Sequence, residues 1–154
     1  MRSCPASMLL LATVSLGVLL TGHAVAAQKK AAMGTVERLD PRLDKLIARN
    51  AVIEKLADGF DWSEGPVWIR NGNYLLFSDI PRNSVLKWKD GEGISLFPKP
   101  SGYTGKDRRD GEPGSNGLLL DSAGRLVLCQ HGDRRMARLE KDGSFTTLAD
   151  RYRG

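Results

Sequence analysis

The stretch "GPVWIRNGNYLLFSDIPRNSVLKWKDG" (residues 65–91) lies without a gap over "GLLLDSAGRLVLCQHGDRRMARLEKDG" (residues 117–143), at an offset of 52 residues. Each copy runs through a glycine, an apolar strand, a turn containing Gly, a second strand, a polar connection, a third strand and Lys-Asp-Gly. A further short apolar run follows each copy, "ISLF" in one and "FTTLA" in the other. Four short strands per unit, at a period of about 40–50 residues, is the pattern of β-propeller blades. A sandwich also has short strands, but they do not recur in register at a fixed offset. The sequence therefore predicts strands over "YLLFSDI", "SVLKWKD", "ISLF", "LLLD", "RLVLCQH", "RMARLEK" and "FTTLAD", separated by Gly, Asn and Asp turns.

Upstream of the repeat the character changes. In "LDPRLDKLIARN" Asp40 is placed to cap a short helix, Pro41 suits its first position, and Leu43, Leu46 and Ile47 make one apolar face. Residues 28–50 thus read as a leader and helix, ahead of a β domain over 51–154. At the start, Arg2, the apolar run over 8–20 and the small residues of "HAVAA" read as a signal peptide over 1–27. That run is short for a membrane span, which needs about 20 apolar residues. Export to the periplasm or the medium is the expectation, with no membrane attachment after cleavage.

Composition excludes little. Lys and Arg number 23 against 18 Asp and Glu, and they are scattered, with no basic stripe interleaved with aromatics, so nucleic acid is not an expected partner. Cys4 leaves with the signal, and Cys129 is then single and reads as a small buried hydrophobe.

The repeat brings Glu64, just ahead of the first copy, into correspondence with Asn116, and Asp79 with His131. Equivalent positions of successive blades surround one axis. A carboxylate and an amide oxygen gathered there would suit a hard cation. Each residue also has a plainer role. Glu64 is consistent with capping a strand start, Asn116 with forming the turn in "GSNG", Asp79 with initiating the turn at "DIPRN", and His131 with a structural hydrogen bond. The Gly-, Pro- and charge-rich segment over 98–117 has the length of a functional lid or a linker. No "GxSxG" elbow is present, which argues against a serine hydrolase.

"EGPVW", "LLFSDIPRNSVLKW", "EPGSNGLLLDSAGRLVLCQHGDRRMARLEKDG" and "LADRYRG" resemble the gluconolactonase/regucalcin/luciferin-regenerating lactonase family, and within it the secreted bacterial gluconolactonases. The resemblance runs from about Phe60 to the last residue. It implies an all-β, six-bladed β-propeller, of which about two blades plus the N-terminal helix are present. It implies one divalent cation in the channel, usually Ca²⁺, with Zn²⁺ also accepted, and a small sugar lactone as substrate. By motif, Glu64 resembles a metal ligand, Asn116 a residue that holds substrate near the metal, and His131 a pocket residue of the bacterial subgroup. Gly114 stands where the animal proteins carry an arginine, so their sugar contacts do not transfer. The family's second metal ligand and its general-base aspartate fall beyond Gly154. The expectation is the N-terminal portion of a metal-dependent lactone hydrolase, or a truncated product of its gene. A non-catalytic propeller module and an inactive fragment are the alternatives.

Overall fold

The structure is a computed structural model that describes residues 33–153. The expected signal peptide and most of the leader lie outside the described residues. Among the described residues, eight strands form two four-stranded antiparallel sheets in strict sequence order. Blade 1 holds β1 (Ser63–Ile69), β2 (Tyr74–Asp79), β3 (Ser84–Lys89) and β4 (Gly93–Leu96). Blade 2 holds β5 (Ser115–Leu120), β6 (Leu126–Gln130), β7 (Arg135–Leu139) and β8 (Phe145–Ala149). Every strand read from the sequence is present. Among the described residues, no helix is long and apolar enough to cross a membrane.

Alternation of side chains along β2 and β6 builds the contact between the blades. Leu76, Val85, Leu126 and Leu128 are almost fully buried, with Val67, Ile69, Leu118 and Leu120 packed around them. Burying each such side chain contributes about 1.5–3 kcal/mol. Leu75 and Phe77, with the opposite parity, face away from blade 2.

The short helix is a single 3-10 element, Pro41–Lys45. Asp40 caps it by accepting from the Arg42 amide, as the sequence suggests. Its expected apolar face does not pack. Leu46 is 80% exposed and Ile47 37% exposed. Five residues cannot present an i, i+3, i+4, i+7 stripe to a core.

The two blades repeat one another with a slip that the gap-free alignment hides. Ser63 and Ser115 occupy the same place in the inner strands, 52 residues apart, but their partners Asp79 and Gln130 are 51 apart. One residue is lost in the first hairpin. There the left-handed position is taken by Asn73 (φ 52°) in blade 1 and by Gly124 (φ 75°) in blade 2. The sequence match laid Gly72 on Gly124, glycine on glycine. The backbone instead matches positive φ on positive φ, which asparagine tolerates. Beyond that point the structural offset is 51, and the next turn agrees. Asn83 N–H donates to Ile80 O, and Arg134 N–H donates to His131 O. The counterpart of Asp79 is therefore Gln130, and that of His131 is Ile80.

In blade 2 the hairpin is also held by Asp121. The Arg125 amide, then the Arg125 guanidinium and the Ala123 amide, bind its carboxylate and hold its pKa below the ordinary range. A depressed folded pKa means stability that is present above the unfolded value of about 3.9 and is lost as pH falls through the folded one. Wild type should therefore exceed Asp121→Asn in stability at neutral pH, with the gap closing below about pH 4. Urea melts at pH 7 and pH 3 check this.

Candidate functional site

Strand direction gathers the candidate residues at one end of the sheets. β1 and β5 start there, the β2–β3 turn (80–83) and the β6–β7 turn (131–134) lie there, and the connection 97–114 crosses between the blades there. Glu64, Asn116 and His131 all belong to this end.

Glu64 and Asn116 sit inside β1 and β5, each where its strand bulges out of register. Neither forms a loop. A bulge re-aims a side chain and strengthens local twist. Gly65 makes the juxtaposition possible: its φ is +55°, and a Cβ there would lie 2.3 Å from Asn116 O and 2.9 Å from Gly117 Cα. The two inner strands thus touch backbone to backbone beside Glu64. Ser78, the partner of Glu64 across β1–β2, hydrogen-bonds Ser115 Oγ at 2.8 Å and donates to Asn116 O at 2.9 Å.

These contacts hold the Asn116 main chain, while its side-chain oxygen is left over. Asn116 Oδ1 is buried and has no hydrogen-bond partner. An unmade bond of this kind costs about 1–3 kcal/mol. Glu64 is exposed and borders a recess of about 260 Å³ with Ser63, Pro66, Leu75 and Phe77. Among the described residues, no three His, Cys, Asp or Glu side chains cluster as metal ligands. A hard cation takes six to eight oxygens in the case of Ca²⁺. A carboxylate such as that of Glu64 suits such an ion.

Asp79 does not merely start a turn. It is fully buried and accepts from the amides of Asp61 (3.3 Å) and Trp62 (3.1 Å), with Arg82 Nε at 3.5 Å. It therefore anchors the segment that delivers Glu64. Gln130, its counterpart, donates to Ser101 O at 3.1 Å and accepts from Arg135 Nε at 2.6 Å. His131 faces Glu112, with Nδ1 3.1 Å from Glu112 Oε2. Cys129 is exposed, contrary to expectation, although Val127 on the same face of β6 is buried.

The connection 97–114 is tied down at both ends. Asn83 Oδ1 accepts from the amides of Ser101, Gly102 and Tyr103 at 2.8–3.2 Å, and its Nδ2 donates to Tyr103 O. Ser101 Oγ accepts from the Ser115 amide, and Asp133 accepts from Thr104 N and Oγ1. The longest exposed run of the connection is 104–111, with Phe97, Lys99 and Pro100 also exposed. The buried serines Ser78, Ser101 and Ser115 escape a sequence reading, since serine in a Gly-rich run signals a turn. Glu112 escapes it too, although "EPGSNG" contains it.

Comparison with known proteins gives a consistent result. Residues 62–153 match the SMP-30/gluconolactonase/LRE-like region. Over 99% of its length the chain is 35% identical to a gluconolactonase of Zymomonas mobilis subsp. mobilis, of which it covers 45%. An X-ray structure described provisionally as a gluconolactonase superposes on 78% of the chain with a TM-score of 0.64 and 32% identity, the match covering 38% of that structure. A gluconolactonase from Xanthomonas campestris, described as important in glucose secondary metabolic pathways, superposes on 66% with a TM-score of 0.55 and 31% identity, covering 30% of its own chain. The chain spans less than half the length of each of these proteins.

Proposed function

Because the chain belongs to the SMP-30/gluconolactonase/LRE-like family, we propose that it contributes two blades and one wall of the site to a propeller that hydrolyses a sugar lactone with a bound divalent cation. The observation that carries this reading is the orphaned Asn116 Oδ1 on an inner strand that bulges where the strand of Glu64 does, the two backbones meeting at Gly65.

In this proposal Glu64 is the anionic ligand of the cation, Ca²⁺ in the first instance and Zn²⁺ in the second. When bound, such a cation polarises a carbonyl and lowers the pKa of a coordinated water. Asn116 holds the lactone: the close contact at Gly65 fixes its backbone, and its buried Oδ1 recovers the missing hydrogen bond from a substrate hydroxyl or a water. His131 lines the same end and contacts the sugar. Asp79 fixes the Asp61 and Trp62 amides, so Glu64 is presented without a reorganisation cost. The general base is assigned to no described residue. Export to the periplasm or medium belongs to the proposal and is tested by N-terminal sequencing of the mature protein.

The test is calorimetric titration of the purified chain with CaCl₂, alongside hydrolysis of D-glucono-1,5-lactone. Glu64→Gln keeps the shape and removes the charge, so cation affinity should fall about tenfold or more, since affinity follows the ligand charge count. Unchanged affinity in Glu64→Gln would remove this carboxylate from the site. Sugar binding without any cation dependence would favour the non-catalytic module.

A further inference from the structure

We propose that Glu112 is a positioning residue for His131, and that His131 Nε2 accepts a hydrogen bond from a hydroxyl of the bound sugar. The inference rests on the lactone reading above and adds a second contact to that site.

Glu112 Oε2 lies 3.1 Å from His131 Nδ1. An ionised carboxylate can only accept, so the proton of this hydrogen bond sits on Nδ1. In the neutral ring that leaves Nε2 without a proton, as an acceptor. Within the described residues the ring's hydrogen bond is the one to Glu112 at Nδ1, and the ring is 37% exposed. An acceptor fixed in this way takes a hydroxyl. It offers nothing to an anionic group, which has no proton to give.

The surrounding backbone makes the pairing rigid. Gly114, two residues after Glu112, donates its amide to Ile80 O. Gly132, next to His131, packs so closely that a Cβ there would lie 2.3 Å from Pro113 O and 2.5 Å from Tyr103 Cβ. The residues flanking the pair are therefore locked together, and the pair cannot drift apart by loop motion alone. Stability does not explain it, since an ion pair as exposed as this contributes at most about 1 kcal/mol. Its location does: Glu112 lies four residues before Asn116, and the pair sits at the end of the sheets that carries Glu64.

The test uses the ¹⁵N-labelled 154-residue chain, which contains two histidines, His23 and His131. Long-range ¹H–¹⁵N spectra, assigned with His131→Gln, report which ring nitrogen is protonated. D-gluconate, which does not turn over, serves as the hydroxyl-bearing probe. Wild type should show the neutral His131 ring protonated on Nδ1. Glu112→Ala should convert it to the Nε2-protonated form. Glu112→Gln, whose Oε1 still accepts, should preserve it. D-gluconate should shift the Nε2 resonance in wild type and Glu112→Gln and bind about tenfold more weakly to Glu112→Ala, as expected for one lost hydrogen bond. A ring already protonated on Nε2 in wild type, or unchanged in Glu112→Ala, overturns the positioning role. A shift of the Asn116 side-chain amide without a shift of Nε2 overturns the sugar contact and leaves the lactone site standing. Shifts at neither residue overturn both.

Discussion

Replacing Gly65 with alanine should remove about 4 kcal/mol of folding stability, the sum of two penalties that meet at one atom. A left-handed backbone costs an L-residue about 1–2 kcal/mol. The added methyl would also stand 2.3 Å from Asn116 O, against backbone that cannot rotate away, and overpacking of this kind costs about 1–3 kcal/mol. Domains of this size are stable by about 5–15 kcal/mol, so much of the margin would be lost. Gly91→Ala separates the two terms. Gly91 has the same hand (φ 75°) with open space around it, and should lose only about 1 kcal/mol. Urea midpoints of both variants check this, and equal losses would show that the contact between β1 and β5 carries no strain.

Asn83→Ala should cost about 3 kcal/mol, because one side chain organises three consecutive amides and a carbonyl of the connection 97–114. Asn83 is also left-handed (φ 51°), a conformation asparagine accepts and alanine resists. Its loss should raise hydrogen exchange at Gly102 and Tyr103, with β2 and β3 staying protected. Asn83→Asp keeps the acceptor for the three amides but sets a carboxylate oxygen against Tyr103 O, so about 2 kcal/mol is expected. Exchange that rises equally throughout both blades would mean that the connection has no stability of its own.

Much of the fold was legible because the repeat recurs at both the level of strands and the level of turns. Leu76 and Leu128 show the core face, and the two inner bulges fall at Glu64 and Asn116, as the 52-residue match implies. The slip to 51 was not legible, because residue identity conceals backbone conformation. A glycine aligned with Gly124 was the natural match, yet the position needs positive φ, and Asn73 supplies it. From that single misplacement Asp79 was matched to His131 instead of Gln130. Burial was the harder quantity. Asp79 is fully buried because two amides from a distant segment satisfy it, and Cys129 is exposed although Val127, two residues earlier on the same side of β6, is buried. Neither depends on anything local in sequence. The 3-10 helix shows the reverse: its cap was evident, but the expected apolar face had nothing to pack on.

The segregation of the candidate site to one end of the sheets has a practical consequence for labelling. The hairpins at the other end (70–73, 90–92, 121–125 and 141–143) are joined to that site only through the strands. Exposed turn tips tolerate insertion well. A fluorophore or affinity peptide placed between Asp90 and Gly91 would stand roughly 20 Å from Glu64, the length of a six-residue strand. The titrations proposed above could then be run optically, on immobilised protein, with the reporter clear of the candidate residues.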